Sequence, residues 1–457
     1  MPMLCLLTAP VHLSESNSTG KGCRQSNEHI VSGRRCISFA GSILKFNSIS
    51  YESAVKIVKI TETICVKNTK YHDGSYHAID CFWYNLHPMR YYLIAGEASG
   101  DLHGSNLMRA IHRYDEAAAF RCWGGDLMEK AGGTVVKHYR DLAFMGFVEV
   151  LANLRTIIKN LKYCKEDILA FQPDVLILID YPGFNIRIAE WAKTQGIRVV
   201  YYISPQVWAW KAGRVKKLKR CVDRMITILP FEQDFYKKYQ WEVEYAGHPL
   251  LEVVEKFTSE HGHLQRNGKT IALLPGSRKQ EILKKLPVML EVSRFFPEYT
   301  FTVAKAPSLP ESFYNEIMKP YENVGVITGG TYHLLMQSSA ALVTSGTATL
   351  ETALFGVPQV ICYKGNPVSY AIAKKLVNIR FIGLPNLILD RAVVKELIQD
   401  DFNVQLLKEA LTGILTDETT RQQIKKDYQE LYALLKQGGH ASDNAAKMIM
   451  DVVRAKQ

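Results

Sequence analysis

Residues Leu342–Tyr363, LVTSGTATLETALFGVPQVICY, decide the fold. An apolar run stops at Ser345-Gly346-Thr347, a helical pattern follows, Gly356-Val357-Pro358 ends it, and a second apolar run begins. That is the order of a buried strand, a turn, a helix and another buried strand, a βαβ unit. Ser345, Gly346 and Thr347 are small residues suited to capping the helix start. Free backbone N–H groups and the positive end of the helix dipole attract an anion such as phosphate there. Glu351 falls one turn into the helix, where its carboxylate could reach a ribose diol beside that phosphate. The same letters also suit a plain βαβ unit with a Ser/Thr cap, and this stretch alone does not choose between the two.

Working outward, the same grammar recurs. Thr270–Leu274 reads as a strand, followed by Pro275-Gly276-Ser277-Arg278 and a helix start. The planar fork of Arg278 matches phosphate oxygens. Two phosphate-favouring turns, Gly276–Arg278 and Ser345–Thr347, therefore fall in one half of the chain. Together they favour a nucleotide site over plain βαβ units. Further on, LPNLILDRAVVKELIQ places Asn386 and Arg391 at a turn and helix entry, and the chain from Val404 reads as amphipathic helix.

The half before it is also α/β. Tyr91–Ala95 leads through Gly96-Glu97-Ala98-Ser99-Gly100-Asp101 into a helix ending near Arg113. The loop lacks the G-x-G-x-x-G dinucleotide fingerprint, but its glycines let a ligand approach the backbone. Val175–Ile179 has no alternation, as expected of a strand buried on both faces. It delivers Asp180 to a strand's carboxyl end, where open α/β sheets bind ligands; an Asp that only stabilises the turn fits there too. Strands are expected again at Val199–Ile203 and Met225–Leu229. His248, at the Gly247–Pro249 crossing to the second half, reads as structural.

Three regions allow more than one reading. Phe144, Met145, Phe147 and Val148 cluster around Gly146 ahead of Arg155, Lys159, Lys162 and Lys165. Such a pattern suits an interfacial membrane contact or an ordinary core helix with a basic edge, and by itself favours the latter. Trp208 and Trp210 precede the basic run Lys211–Arg220, which suits nucleic acid, an acyl chain with its phosphate, or a solvated helix face. Residues 1–88 alternate Ser, Asn, Cys and short apolar pieces with no sustained period. The reading favours Met89 as the true start, with a small accessory domain or a targeting peptide as the alternatives.

Composition bounds the rest. At 457 residues the chain can build two or three cores, and 47% hydrophobic with 22% charged is a globular balance. No apolar run reaches the ~18 residues needed to span a bilayer, and the first residues lack a basic n-region. Nine cysteines without a C-x-x-C pair suit a reducing compartment. No His/Cys/Asp cluster has metal-ligand spacing. A formal charge of +11 reflects either solubility or an anionic partner, with nucleic acid, anionic lipid or a phosphorylated substrate as the candidates.

Two α/β halves with anion turns in one and a strand-end acid in the other have the logic of a sugar-nucleotide glycosyltransferase. The ordered motifs resemble the lipid-A-disaccharide synthase family. They are AGEASGD at Ala95–Asp101, MGFVEVL at Met145–Leu151, PDVLILIDYPGFN at Pro173–Asn185 and ISPQVWAW at Ile203–Trp210. LPFE at Leu229–Glu232, GHPL at Gly247–Leu250, LLPGSRKQEI at Leu273–Ile282, SGTATLE at Ser345–Glu351 and LPNLI at Leu384–Ile388 continue the series. The resemblance runs from about Met89 to the end.

That resemblance implies a GT-B fold, two Rossmann-like domains facing across a cleft. It divides the chain into an extension, 1–88; an acceptor- and membrane-facing domain, 89–246; a UDP-sugar-binding domain, 247–430; and a C-terminal helix over the domain edge, 431–457. The implied reaction transfers 2,3-diacylglucosamine from its UDP derivative to 2,3-diacylglucosamine 1-phosphate with inversion, giving a β-1,6-linked disaccharide 1-phosphate and UDP. No cofactor, metal or nucleic acid is implied. Asp180 becomes the general base. Gly276, Ser277, Arg278, Ser345, Gly346, Thr347, Glu351 and Asn386 hold the donor, and Gly96, Glu97, Ser99, Gly100 and Asp101 contact sugar or acceptor.

Diacylated substrates also turn Phe144, Met145, Phe147 and Val148 into the expected contact with an anionic inner-membrane surface. The enzyme would then be cytoplasmic and peripherally bound. Where many relatives carry a second acid three residues after the base, this chain has Gly183; a mechanism needing only Asp180 survives that departure. The rivals are a UDP-sugar 2-epimerase on the same fold and a basic nucleic-acid-binding protein using Lys211–Arg220. Salt-steep binding to DNA or RNA would mark the latter.

Overall fold

The computed structural model describes residues 36–39, 42–45, 88–142, 154–209, 213–262, 268–306, 309–366, 370 and 380–455. The chain forms two compact units, 1–87 and 88–457. In the first, β1 (Cys36–Phe39) and β2 (Ser42–Lys45) pair as an antiparallel hairpin.

The second unit holds two wholly parallel sheets. In chain order its first half comprises β3 (Arg90–Ala95), α1 (Ala98–His112), β4 (Ala119–Gly124), α2 (Asp126–Lys130), β5 (Thr134–His138), α3 (Leu154–Phe171) and β6 (Val175–Ile179). It continues through α4 (Pro182–Thr194), β7 (Val199–Tyr202), α5 (Arg214–Cys221), β8 (Arg224–Thr227), α6 (Glu232–Lys237) and β9 (Glu244–Tyr245). The strands lie in the order β5-β4-β3-β6-β7-β8-β9. After α7 (Pro249–His261) come β10 (Thr270–Leu274), α8 (Lys279–Ser293), β11 (Thr300–Lys305), α9 (Glu311–Met318), β12 (Val324–Thr328), α10 (Thr331–Gln337) and β13 (Ala340–Thr344). The second sheet is completed by α11 (Thr347–Leu354), β14 (Gln359–Tyr363), α12 (Leu384–Leu389) and β15 (Glu396–Ile398), in the order β12-β11-β10-β13-β14-β15.

Both orders reverse direction once, between β3 and β6 and between β10 and β13. Those are the switch points of doubly wound sheets, where a crevice opens at the strands' carboxyl ends. All five residues of β6, β10 and β13 are buried, as unalternating apolar strands covered on both faces must be. The fold class expected from the sequence, two Rossmann-like α/β halves, is the one observed.

The crossings between the halves meet at glycines. Gly247 has φ 97°, and a methyl added there would lie 2.8 Å from the Gly438 carbonyl oxygen. Asn444 ties the crossings together by donating to the carbonyls of Ala246 and Gly438. His248 caps α7 by accepting from Leu250 N–H at 3.2 Å, the structural part expected of it. After α13 (Val404–Thr416) and α14 (Glu418–Lys436), α15 (Ala441–Arg454) returns to the first half. There Asp443 pairs with Arg113, Tyr91 Oη approaches Met450 Sδ at 3.2 Å, and Arg198 donates to the carbonyls of Val452 and Val453. A guanidinium on last-turn carbonyls satisfies acceptors the helix leaves open.

Candidate active site

Four turns border the interdomain cleft, two from each switch point. In the first half, Asp180 leaves β6 with φ 44° and Tyr181 follows with φ 48°. Two consecutive non-glycine residues in the left-handed region store strain that the surroundings must offset. Asn185 does so: it is fully buried, and its Nδ2 donates to the carbonyl of Asp180 at 2.8 Å and to that of Ile179 at 3.2 Å. Tyr201 Oη donates to the same Asp180 carbonyl at 2.6 Å. The turn is thereby locked with the Asp180 side chain open to the cleft.

Although Asp180 is exposed to solvent, neighbouring protein groups crowd its carboxyl. Poor solvation pushes its pKa up to about 7, the Glu97 charge adds to the rise, and the Tyr181 N–H opposes it. A carboxyl poised near neutrality is matched to general-base work. The Glu97 carboxyl is itself raised, first by burial, with Arg278 pulling it down and Glu281 pushing it up. Nothing lies within 4 Å of a Cβ built at Gly183. The second acid expected at that position is absent although space exists for it, and Glu97 is the carboxylate whose charge bears on Asp180.

The neighbouring glycine loop sorts its residues differently from expectation. Glu97 and Ser99 open outward at the start of α1. Gly96 is packed beneath Tyr181, whose Cγ would lie 2.3 Å from an added methyl. Gly100 is buried 3.0 Å, by the same measure, from the Ala95 methyl. Asp101, expected among the sugar or acceptor contacts, turns inward. Its carboxylate accepts from the N–H groups of Gly125, Leu127 and Met128 at 2.8–3.1 Å, capping α2. It shapes the loop rather than touching a ligand.

In the second half, Gly276 has φ 115°, which a side chain would strain. Ser277 and Arg278 stand exposed at the start of α8 with no side-chain cap. Arg278 reaches across the cleft: its guanidinium is 3.5 Å from Glu97 Oε1 and 3.4 Å from Glu281 Oε1. The other turn departs from expectation in its capping. The N-cap of α11 is Gly346, φ 146°, and no side chain caps the helix. Ser345 Oγ instead donates to the Ile382 carbonyl at 2.9 Å. Gly346 and Thr347 are exposed, so the helix start faces the cleft uncapped. Glu351 is held by Tyr332 Oη, which donates to its Oε1 at 2.8 Å, and burial raises its pKa. Among the described residues its other oxygen has no partner, which suits a diol.

Asn386 is a correction. Expected in the nucleotide pocket, it is wholly buried and fully bonded. Its Oδ1 accepts from the N–H groups of Val393 and Val394, and its Nδ2 donates to Val394 O and Glu396 Oε1, each at 2.9 Å. Glu396 also accepts from Ile382 and Gly383 N–H. The pair staples the loop that receives Ser345. Arg391, at the same turn, is tied to Asp427 and Glu430.

Trp208 packs edge-on against Phe231 at 5.0 Å, and both pack on the second half's core beside Leu229. It serves the contact between the halves; Trp210 and Lys211 lie outside the described residues. From Arg214 to Arg220 the basic run is a solvated helix face: α5 buries Val215, Leu218 and Cys221 and turns Lys217 to Glu190. Phe144, Met145, Phe147 and Val148 lie outside the described residues. No helix among the described residues is long and apolar enough to cross a membrane. Sequence reasoning passed over Asn185, Tyr201, Tyr332, Glu281 and Glu396. Asn185 and Glu281 sit inside the quoted motifs, but only the folded turns show what they hold.

Two doubly wound halves, with a near-neutral acid on one wall of their cleft and two uncapped glycine turns on the other, define a glycosyltransferase of the GT-B type. The family model of lipid-A-disaccharide synthetase matches residues 91–451, and the chain belongs to that family. A lipid-A-disaccharide synthase of Syntrophus aciditrophicus (strain SB) is 39% identical over 373 residues, 79% of this chain and 97% of that protein. The family's place is lipid A biosynthesis. Among solved structures, the UDP-GlcNAc 2-epimerase of Neisseria meningitidis bound to UDP-GlcNAc matches with TM-score 0.55 at 12% identity, covering 80% of this chain and all of that one. The calicheamicin glycosyltransferase CalG4 matches with TM-score 0.52 at 14% identity, covering 80% and 98%. At such identities the likeness is one of fold, shared by transferases and epimerases alike.

Proposed function

We propose that the chain transfers 2,3-diacylglucosamine from its UDP derivative to the 6′-hydroxyl of 2,3-diacylglucosamine 1-phosphate. The products are the β-1,6 disaccharide 1-phosphate and UDP. The observation that carries this reading is the opposition of Asp180 to the uncapped turns Gly276–Arg278 and Ser345–Thr347. Asp180 takes the acceptor hydroxyl proton as that oxygen attacks the anomeric carbon. The C–O bond to the UDP phosphate breaks, its electrons leave with the diphosphate, and the configuration inverts. Arg278 and the two helix starts hold the diphosphate charge. Glu351, steadied by Tyr332, accepts the ribose hydroxyls. Glu97 and Ser99 face the sugar or acceptor.

Phe144, Met145, Phe147 and Val148 would seat the protein peripherally on an anionic, cytoplasm-facing membrane surface, where diacylated substrates reside. Exchanging Phe144 and Phe147 for Ser should reduce binding to anionic liposomes; unchanged partitioning would return these residues to an ordinary core. The reaction is tested by mass spectrometry of products formed with donor alone and with donor plus acceptor. A disaccharide 1-phosphate with both substrates, and no UDP release without acceptor, is expected. Release of UDP from donor alone, with epimerised sugar, would replace this reading by epimerase chemistry.

A further inference from the structure

Lys285 stands out among the charged residues of the second half. It is 2% exposed, and lysines are almost never so buried without a counter-charge. Yet no hydrogen bond or ion pair holds it among the described residues. Its ammonium lies 5.8 Å from the Tyr363 ring centroid. Burial lowers its pKa, Glu281 and the Cys362 thiol oppose that, and Arg278 and Lys284 reinforce it. Glu281, whose charge acts on it, is already engaged by Arg278 at 3.4 Å.

The position explains what such a cation is for. Lys285 lies about two turns into α8, the helix that Arg278 precedes as its N-cap. Helical side chains lean toward the N-terminus, which carries this one back toward the Gly276–Arg278 turn. Tyr363 ends β14, where Cys362 pairs with Thr344 just before Ser345. The ammonium, 5.8 Å from the Tyr363 ring, is thereby directed toward the strand ends that carry both anion turns. We propose that Lys285 is a second phosphate-binding cation of the donor site, buried without a partner until a nucleoside diphosphate supplies one. This rests on the nucleotide-sugar reading above and adds to it a residue outside both turns.

The test titrates UDP and uridine separately into full-length wild type and Lys285→Met. Losing a charge-assisted bond to phosphate should weaken UDP about tenfold or more, while uridine affinity stays within about twofold. Lys285→Arg should keep most of the UDP affinity. If Lys285→Met does not fold, Lys285→Gln carries the same comparison. Equal UDP affinity in wild type and variant would overturn the inference and leave the donor site standing. A parallel loss of uridine affinity would overturn it in favour of a structural lysine. Wild type that binds no UDP would overturn the donor reading itself, and the inference with it.

Discussion

The two switch points share one topology and carry opposite chemistry. In each, the central strand and its neighbour across the reversal deliver two turns to the cleft. The first sheet's turns hold acids, Glu97 in extended backbone and Asp180 in a strained, tightly braced turn. The second sheet's turns present Arg278 and uncapped helix starts, built on glycines at φ 115° and 146°. Topology makes the crevice, and turn residues decide what it does. On the proposed reading, a base must be held still, which the Asn185 and Tyr201 bonds to the Asp180 carbonyl would do. A diphosphate must be surrounded by donors, which the bare N–H groups beside the small residues would supply. The Glu97–Arg278 contact joins the two walls.

The largest effect that would break this division is at the base. Asp180→Asn should lower kcat by about 10²–10⁴-fold, read as UDP released with both substrates; near-normal turnover would remove Asp180 from the chemistry. Arg278→Ala comes next. UDP affinity should fall about 10–100-fold from the lost charge-assisted bonds, and unchanged calorimetric binding would move the diphosphate elsewhere. Asn386→Ala sharpens the comparison by separating support from contact. It should cost about 1–3 kcal/mol of stability by stranding buried partners, with a smaller change in UDP affinity than Arg278→Ala brings.

Proton linkage gives the smaller effects. With Asp180 at about 7, kcat/KM should rise with pH through that region, because the base works deprotonated. Glu97→Gln removes a nearby negative charge, so this limb should move to lower pH; no movement would uncouple the two acids. The stability effect has the opposite sense. A carboxyl whose folded pKa exceeds its unfolded value, near 3.9, binds extra protons only when folded. Stability from this group is therefore greatest at low pH and declines as pH rises from about 4 to 7. Asp180→Asn should raise the Tm relative to wild type at pH 8, and the gain should shrink by pH 5.

The strands that build the switch points were legible because apolar runs end in glycine turns. Val175–Ile179 and Thr270–Leu274 were read with the bounds the structure gives them. The flanking strands β4, β5, β11 and β12 were not singled out. They carry polar residues that break the apolar run, although β4 and β12 also end in glycine pairs that open a helix; all of β5 and β12 is partly or fully exposed. The places of Asp180 and Arg278 just after strand ends were legible, because a strand read correctly also fixes where its turn begins. Asp101 and Asn386 were misread because an acid or amide inside a ligand-binding motif looks the same whether it faces ligand or backbone. The direction a side chain takes is set by packing, and a linear pattern does not carry it. Lys285 passed unnoticed for the same reason: in KKLPVML it is one more lysine, and only burial sets it apart.

The measurement that tests the separation of base from diphosphate most directly is a calorimetric titration of UDP into Asp180→Asn. The account expects wild-type affinity, because no diphosphate contact lies on the acidic wall. A tenfold or greater loss of affinity would contradict it, by placing Asp180 within the nucleotide site.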